Sequence, residues 1–236
     1  MKKNTSSKIK KEMEATYAFM SNVYLGNWQY RWKGTPHMKN MLRKNKKESI
    51  LAHQLACIGL WFNLRRICPN LNKLVNSENI YEILWGHDLG EIFAGDVSQT
   101  LQVQGKGINK SKIERQEIIK MAGKIPKQTL KTLLKNFEAF EEKTEEINNI
   151  EILVCKFIDN VQGNHFGVVF GNDYKIHSDL INKILNRSFI RTTRRLLEVL
   201  KKGSNKKAYE EVESVANYLV YLFKKSGVKL KLEKML

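Results

Sequence analysis

Apolar residues recur every three or four positions along most of this chain, and this helical period limits the possible folds more than any other feature. In the first predicted helix they share one face, at Ile9, Met13, Tyr17, Met20 and Tyr24. Alternation with period two, which is typical of a half-buried strand, is weak and confined to residues 228–232. The sequence therefore predicts an all-α fold.

Turn-forming and helix-capping residues divide this pattern into separate helices. We predict helices at residues 6–25, 48–66, 78–93, 112–123, 127–146, 150–166, 178–201 and 207–225. Ser77 is the expected N-cap of the third helix, and Gly95 is expected to close it. The basic stretch 33–47 and the Gly/Gln/Asn/Lys-rich stretch 99–111 are predicted loops.

The charge of the chain indicates the kind of partner it attracts. Its 236 residues include 41 lysines and arginines against 24 aspartates and glutamates, a formal net charge of +17. This balance favours nucleic acids, anionic membranes or phosphorylated small molecules, although a bias toward lysine and asparagine codons explains it equally well. No apolar stretch approaches about 18 residues and no signal peptide is evident, so we expect a cytoplasmic protein with no membrane partner. Cys57, Cys68 and Cys155 are expected to be buried thiols.

Three polar residues continue an apolar helix face between residues 80 and 96. On a helix, His87, Asp88 and Glu91 follow the face formed by Ile80, Ile83 and Leu84. Turning an imidazole and two carboxylates inward is costly unless they are paired or bind a metal. A salt-bridged or capping aspartate and a lone core histidine are the simpler alternatives.

Two more polar residues interrupt helices that otherwise face the core. His53 lies near the start of the apolar helix 48–66, and Asp159 interrupts the apolar run 152–161. Imidazole and carboxylate ligands suit a divalent Mn, Fe, Co, Ni or Zn ion, and the absence of thiolates argues against a structural zinc site.

The order of these residues resembles a known family signature. His53, then His87-Asp88, then Asp159 is similar to the H…HD…D pattern of the HD-domain metal-dependent phosphohydrolases. Within that superfamily, the segment 87–96 (His-Asp-x-x-Glu-x-x-x-x-Gly-Asp) resembles the 5′-deoxynucleotidase branch. The same branch is also resembled by residues 48–53 and by the pair Arg31-Trp32.

The resemblance implies a fold and a domain organisation. We expect an HD-domain helical bundle with additional C-terminal helices, forming one domain over residues 1–236. Its core would cover about residues 15–170 and the C-terminal extension about residues 178–236. The resemblance also implies a homodimer, which the apolar stripe of the last helix could serve if that helix does not pack on its own core.

The resemblance also implies roles for the site residues. His53, His87, Asp88 and Asp159 would hold one divalent transition-metal ion. Glu91 would transfer protons, and Asp96 would contact the sugar 3′-hydroxyl. Arg31 would bind phosphate and Trp32 would stack on the base or wall the pocket. The alternatives are that Glu91 supports a ligand histidine, that Asp96 caps a helix, and that Trp32 belongs to the core.

These observations predict a 5′-nucleotidase that hydrolyses deoxyribonucleoside 5′-monophosphates, with a small nucleotide as its partner. A dNTP triphosphohydrolase or another HD nucleotide hydrolase is the nearest alternative. A basic nucleic-acid-binding protein with a regulatory HD site is a third, less favoured one, based on the basic run 191–207. We interpret His37, His165 and His177 as surface or core residues, and Lys106, Lys110, Lys112 and Arg115 as a solvated basic face in preference to phosphate contacts.

Overall fold

The computed structural model describes residues 2–39, 47–103, 105, 109–123 and 125–234, and these fold into packed helices. The helices are α1 (Lys2–Tyr24), α2 (Ile50–Ile67), α3 (Pro69–Asn72), α4 (Ser77–Gly86), α5 (Glu91–Ala94), α6 (Gln99–Val103), α7 (Lys110–Ala122), α8 (Lys127–Glu141), α9 (Ile150–Phe170), α10 (Ser178–Leu185), α11 (Arg191–Lys202) and α12 (Lys206–Lys225). Short 3₁₀ turns occur at Leu25–Asn27 and Pro36–Met38, and a π-helical turn at Asn186–Ile190 joins α10 to α11. No strand forms within the described ranges, so the all-α prediction is confirmed.

Several helix ends differ from the prediction. The N-cap of α4 is Asn76, whose side chain accepts a hydrogen bond from the Glu78 amide, and Ser77 is the first helical residue. Gly95, with φ of +81°, ends α5 as predicted. The predicted helix 78–93 is broken into α4 and α5, because glycines at 86 and 90 weaken a continuous helix at this point.

The predicted loops are also only partly correct. Residues 99–103 form α6, which packs against α10 where a loop was expected. Gly34 faces this short helix so closely that a Cβ atom there would lie 3.0 Å from Leu101 Cδ2. Tertiary contact therefore stabilises a helix that local composition does not favour. Residues 40–46 of the predicted basic loop lie outside the described residues.

Helix α9 forms the centre of the larger apolar core. It packs against α2, α4 and α11, and its buried side chains include Leu153, Cys155, Phe157 and Ile158. A second cluster joins α1, α2, α5, α7 and α8, through residues such as Phe19, Ile50, Ile92, Ile118 and Phe137. All three cysteines are buried and free, as predicted.

The C-terminal helices share the core of α9. Helix α12 buries Ala208, Val212, Ala216, Leu219 and Phe223 against α11, α3 and α9. Of the two uses predicted for this stripe, packing on the core is the one observed, and the homodimer stays a prediction. No helix in the described part of the chain combines the length and apolarity needed to cross a membrane.

Candidate metal centre and adjoining cavity

Three separate elements bring the predicted metal ligands together. His53 lies in the first turn of α2, which begins where the Ser49 side chain accepts a hydrogen bond from the Ala52 amide. His87 and Asp88 lie in the turn between α4 and α5, and Asp159 lies on the central helix α9. The break between α4 and α5 does not separate these residues, because the turn keeps right-handed helical angles at His87.

The distances between the donor atoms are those of a single cluster. His53 Nε2 lies 3.0 Å from Asp159 Oδ1 and 3.4 Å from Asp88 Oδ2. His87 Nε2 lies 3.4 Å from Asp88 Oδ2 and 3.9 Å from Asp159 Oδ1. Nitrogen and oxygen atoms bound to one ion at about 2.0–2.2 Å are separated by comparable distances. The two imidazoles and two carboxylates therefore converge on one point.

Hydrogen bonds on the far side of each imidazole orient these donors. His53 Nδ1 donates to Gln162 Oε1 at 2.5 Å, and His87 Nδ1 donates to the Leu84 carbonyl at 2.8 Å. Because those partners accept hydrogen bonds from Nδ1, the Nε2 atom of each ring faces the cluster. His87 Nε2 and Asp88 Oδ2 are buried without any hydrogen-bond partner. Buried metal-donor atoms that lack a hydrogen-bond partner fit a bound cation.

The charge states of three of the four side chains also fit a cation. Burial alone would raise the pKa of Asp88 and Asp159, but the imidazoles and the Arg31 guanidinium hold both pKa values below the ordinary value. Both side chains are therefore carboxylates at neutral pH. Burial lowers the pKa of His87, which keeps it neutral as a ligand must be. His53 differs: burial and the Arg31 guanidinium would lower its pKa, but Cys57 and the hydrogen bond to Asp159 hold the pKa well above its ordinary value. Binding of a cation would therefore displace a proton from His53.

Cys57 is a further potential donor close to this cluster. Its Sγ lies within 4.8 Å of donor atoms of His53, His87 and Asp159. It is 3.6 Å from His53 Nε2 and 3.8 Å from Nδ1, so the sulfur faces the ring and not the direction of the Nε2 lone pair. Burial also raises the pKa of this thiol. Cys57 therefore packs against a ligand and is poorly placed to be one.

A hydrogen-bonded chain connects His53 to the predicted substrate residues. Gln162, which accepts from His53, donates through Nε2 to Glu48 Oε1 at 2.8 Å. The other Glu48 oxygen accepts from Trp32 Nε1 at 2.7 Å, and the Trp32 amide donates to Asp96 Oδ2 at 3.0 Å. Sequence analysis placed Glu48 in a segment that resembles the family but gave neither Glu48 nor Gln162 a role, because the two residues lie more than 100 positions apart.

The simpler interpretations, a core residue for Trp32 and a helix cap for Asp96, do not describe the contacts that these two residues make. Trp32 is half-buried, stacks on Phe166 and has a φ of +73°, a left-handed angle that is uncommon for a bulky residue. Asp96 accepts from the Trp32 backbone, and the residue that caps the end of α5 is Gly95. The carboxylate thus helps to hold a strained backbone at the edge of the cavity.

Arg31 brings a positive charge beside the cluster. Its Nη1 lies 4.0 Å from Asp88 Oδ2 and is buried without a hydrogen-bond partner. Burial opposes the charge, but Asp88, Glu48, Asp96 and Asp159 raise the pKa of Arg31 above its ordinary value. A buried guanidinium with a free N–H group is suited to bind an anionic ligand.

Glu91 is buried and has an ion-pair partner that the sequence did not indicate. Burial, followed by the nearby Asp88, raises the pKa of Glu91 to about 8, although Lys110 opposes this. Lys110 Nζ lies 2.8 Å from Glu91 Oε1. The interpretation of Lys110 as part of a solvated basic face is therefore wrong. Lys112 and Arg115 are exposed, as that interpretation expected, and Lys106 lies outside the described residues.

A cavity of about 300 Å³ opens beside these residues. Its wall includes Arg31, Trp32, Asp88, Glu91, Asp96 and Asp159. His37 also lines it as a buried residue, whereas His165 is exposed, in agreement with their interpretation as core and surface histidines.

Comparison with known proteins gives one match. A family model described as HD domain matches residues 37–187, which is more than half of the chain. No curated protein and no solved structure matches. The matched segment contains all four donors of the metal centre, whereas Arg31 and Trp32 precede it and α12 follows it.

Proposed function

Because the chain belongs to the HD-domain family of metal-dependent phosphohydrolases, we propose that it is a 5′-nucleotidase acting on deoxyribonucleoside 5′-monophosphates. The products would be the deoxynucleoside and inorganic phosphate. The observation that carries this proposal is the placement of Arg31 beside the four metal donors, at the wall of one cavity.

The metal centre would be formed by His53, His87, Asp88 and Asp159, whose clustered nitrogen and oxygen atoms fit a divalent transition metal. Bound there, such an ion would acidify water and neutralise phosphate charge. Arg31 would orient the phosphate from the side of Asp88 through its free N–H group.

Glu91 is the proposed proton-transfer residue. Its Oε2 atom is buried without a hydrogen-bond partner, and the raised pKa allows the carboxyl group to hold a proton near neutral pH. When water attacks phosphorus and the bond to the 5′-oxygen breaks, that oxygen leaves with an extra proton. Glu91 is the acid in the cavity wall that could provide it.

Trp32 and Asp96 would select the nucleoside. Trp32 is proposed to wall or stack on the base, and Asp96 to accept a hydrogen bond from the sugar 3′-hydroxyl. Asp96 Oδ2 is engaged by the Trp32 amide, so its other carboxylate oxygen is the one proposed for the sugar. The size of the cavity, near the lower limit of about 300–1,000 Å³ for ligand pockets, favours a monophosphate over a triphosphate.

A substrate panel tests this proposal. Purified protein is incubated with Mn²⁺, Co²⁺, Fe²⁺, Ni²⁺ or Zn²⁺ and with dAMP, dGMP, dCMP, dTMP, AMP or dATP, and phosphate and triphosphate release are measured. We expect phosphate release from the deoxynucleotides, at least about tenfold faster in kcat/KM than from AMP, a ratio within reach of one lost or gained polar contact. Triphosphate release from dATP as the main activity would contradict the monophosphatase proposal.

A further inference from the structure

A half-buried lysine, Lys110, connects the proposed proton-transfer residue to a second carboxylate. Lys110 Nζ lies 2.8 Å from Glu91 Oε1 and 3.1 Å from Glu114 Oε1. The two glutamate side chains are 4% and 2% exposed, and that of Lys110 is 20% exposed. Charging groups that are removed from water in this way is costly unless their geometry is well satisfied.

The position of Lys110 is not explained by the stability of its own helix. Lys110 is the first residue of α7, where the helix dipole disfavours a positive charge. A lysine four residues before a glutamate is also the weaker orientation for a helical ion pair. The ion pair with Glu91, which belongs to α5 and not to α7, explains why a cation lies at this point.

The two helices approach each other closely enough to keep this arrangement rigid. A Cβ atom at Gly90 would lie 2.5 Å from Glu114 Cβ and 2.7 Å from the Glu114 carbonyl oxygen. Only glycine at this position allows α7 to pack so near the start of α5. Glu91 is therefore held between its own short helix and Lys110, while its Oε2 atom stays without a partner.

We propose that Lys110 is a positioning residue that fixes Oε1 of Glu91, so that Oε2 is presented to the substrate as the proton-transfer atom. Glu114, whose Oε1 lies 3.1 Å from Lys110 Nζ, supports Lys110 through a second ion pair. This inference rests on the proposed function, because it assigns Lys110 a role that acts through Glu91.

A double-mutant cycle tests whether Lys110 acts through Glu91. We expect Lys110→Met to lower kcat for the best deoxynucleotide about 100-fold with KM within about twofold, since positioned proton transfer contributes about 10²–10⁴-fold. Glu91→Gln should lower kcat at least as far. The double variant should match Glu91→Gln alone, because residues that act as a unit do not give additive losses. Lys110→Arg should recover part of the lost kcat.

Lys112→Met is the matched control. It removes the same charge from the first turn of the same helix, but its side chain is exposed, and we expect unchanged kcat. Bound metal, measured by elemental analysis, should be equal in all variants. If Lys110→Met unfolds, Lys110→Met combined with Glu114→Gln removes the facing carboxylate charge and should fold with the same low kcat.

The outcomes distinguish a failure of the positioning role of Lys110 from a failure of the proposed function. Additive losses in the double variant, a raised KM with unchanged kcat, or full kcat in Lys110→Met would each overturn the positioning role in an active enzyme. A wild-type chain that releases phosphate from no nucleotide would instead overturn the proposed function, and the role of Lys110 with it.

Discussion

The metal centre and the C-terminal basic face differ in how far their charged groups are buried and paired. We define the C-terminal basic face as Lys183, Arg187, Arg191, Arg194 and Arg195. On this face Arg191 pairs with Glu145 and Arg194 with Glu233, both at 3.0 Å between partly exposed side chains. In the metal centre, His53, His87 and Asp88 are buried, Asp159 is half-buried, and two donor atoms have no hydrogen-bond partner.

The difference shows which charges carry information about function. An exposed ion pair contributes about 0–1 kcal/mol and places little demand on the fold, so surface charge can vary freely. A buried charge destabilises the fold by several kcal/mol unless it is compensated. A cluster of buried metal-donor atoms without hydrogen-bond partners therefore indicates a function. The net charge of +17 therefore indicates little about this protein, and the few buried donors indicate much.

The largest expected effect comes from removing the charge of the half-buried Asp159. Asp159→Asn should reduce both the affinity for Mn²⁺ and phosphate release by at least about 1,000-fold, since an amide oxygen is a weaker ligand and no longer balances the imidazoles. Titration calorimetry with Mn²⁺ and kinetic assays measure the two effects. The matched control is Asp179→Asn, because Asp179 is an exposed carboxylate that lies 3.9 Å from Lys231. Equal metal affinity in the two variants would contradict the assigned ligand set.

The four side chains that the structure brings together here were all singled out from the sequence, but much of what surrounds them was not. His53 and Asp159 each interrupt an apolar helical pattern, and such a local signal can be read along the chain. Gln162 and Glu48 are recognised only after folding brings α9 beside the start of α2. Lys110 had one local signal, a glutamate four residues later, but that pattern is also typical of an exposed helix.

The helix boundaries show the same limit. Apolar periodicity located the long helices α2, α8, α9 and α12. It failed at the break between α4 and α5 and at α6, where glycines and contacts with distant residues decide the backbone conformation. Local pattern thus predicts what a segment buries, and long-range packing decides where the segment ends.

A smaller effect is expected from a buried histidine at the cavity. Burial, and then the neighbouring His177, lowers the pKa of His37 to about 4 from its ordinary value of 6.5. Between these values the unfolded chain binds a proton that the folded protein excludes. Stability therefore falls as the pH drops from 6.5 toward 4, by up to about 2–3 kcal/mol from this residue.

Chemical denaturation of the metal-free protein at pH 4.5, 5.5 and 7 measures this dependence. His37→Gln should show a flatter decline in the free energy of unfolding than the wild type. His165→Gln, which changes an exposed histidine, should keep the wild-type decline. If the pH dependence of His37→Gln equalled that of the wild type, the buried neutral state of His37 would be wrong.

The smallest effect is expected on the C-terminal basic face. Arg191→Gln combined with Arg194→Gln should lower the free energy of unfolding by less than about 1 kcal/mol per pair and leave kcat unchanged, because both pairs are partly exposed. Binding of nonspecific DNA should be weak and unaltered, since Glu145 and Glu233 already neutralise these arginines. Lys201→Gln combined with Lys202→Gln removes the same charge from the end of the same helix and serves as the control. A steep salt dependence of DNA binding that disappears only in the arginine variant would instead favour the nucleic-acid-binding alternative, and this face would then carry function as the metal centre does.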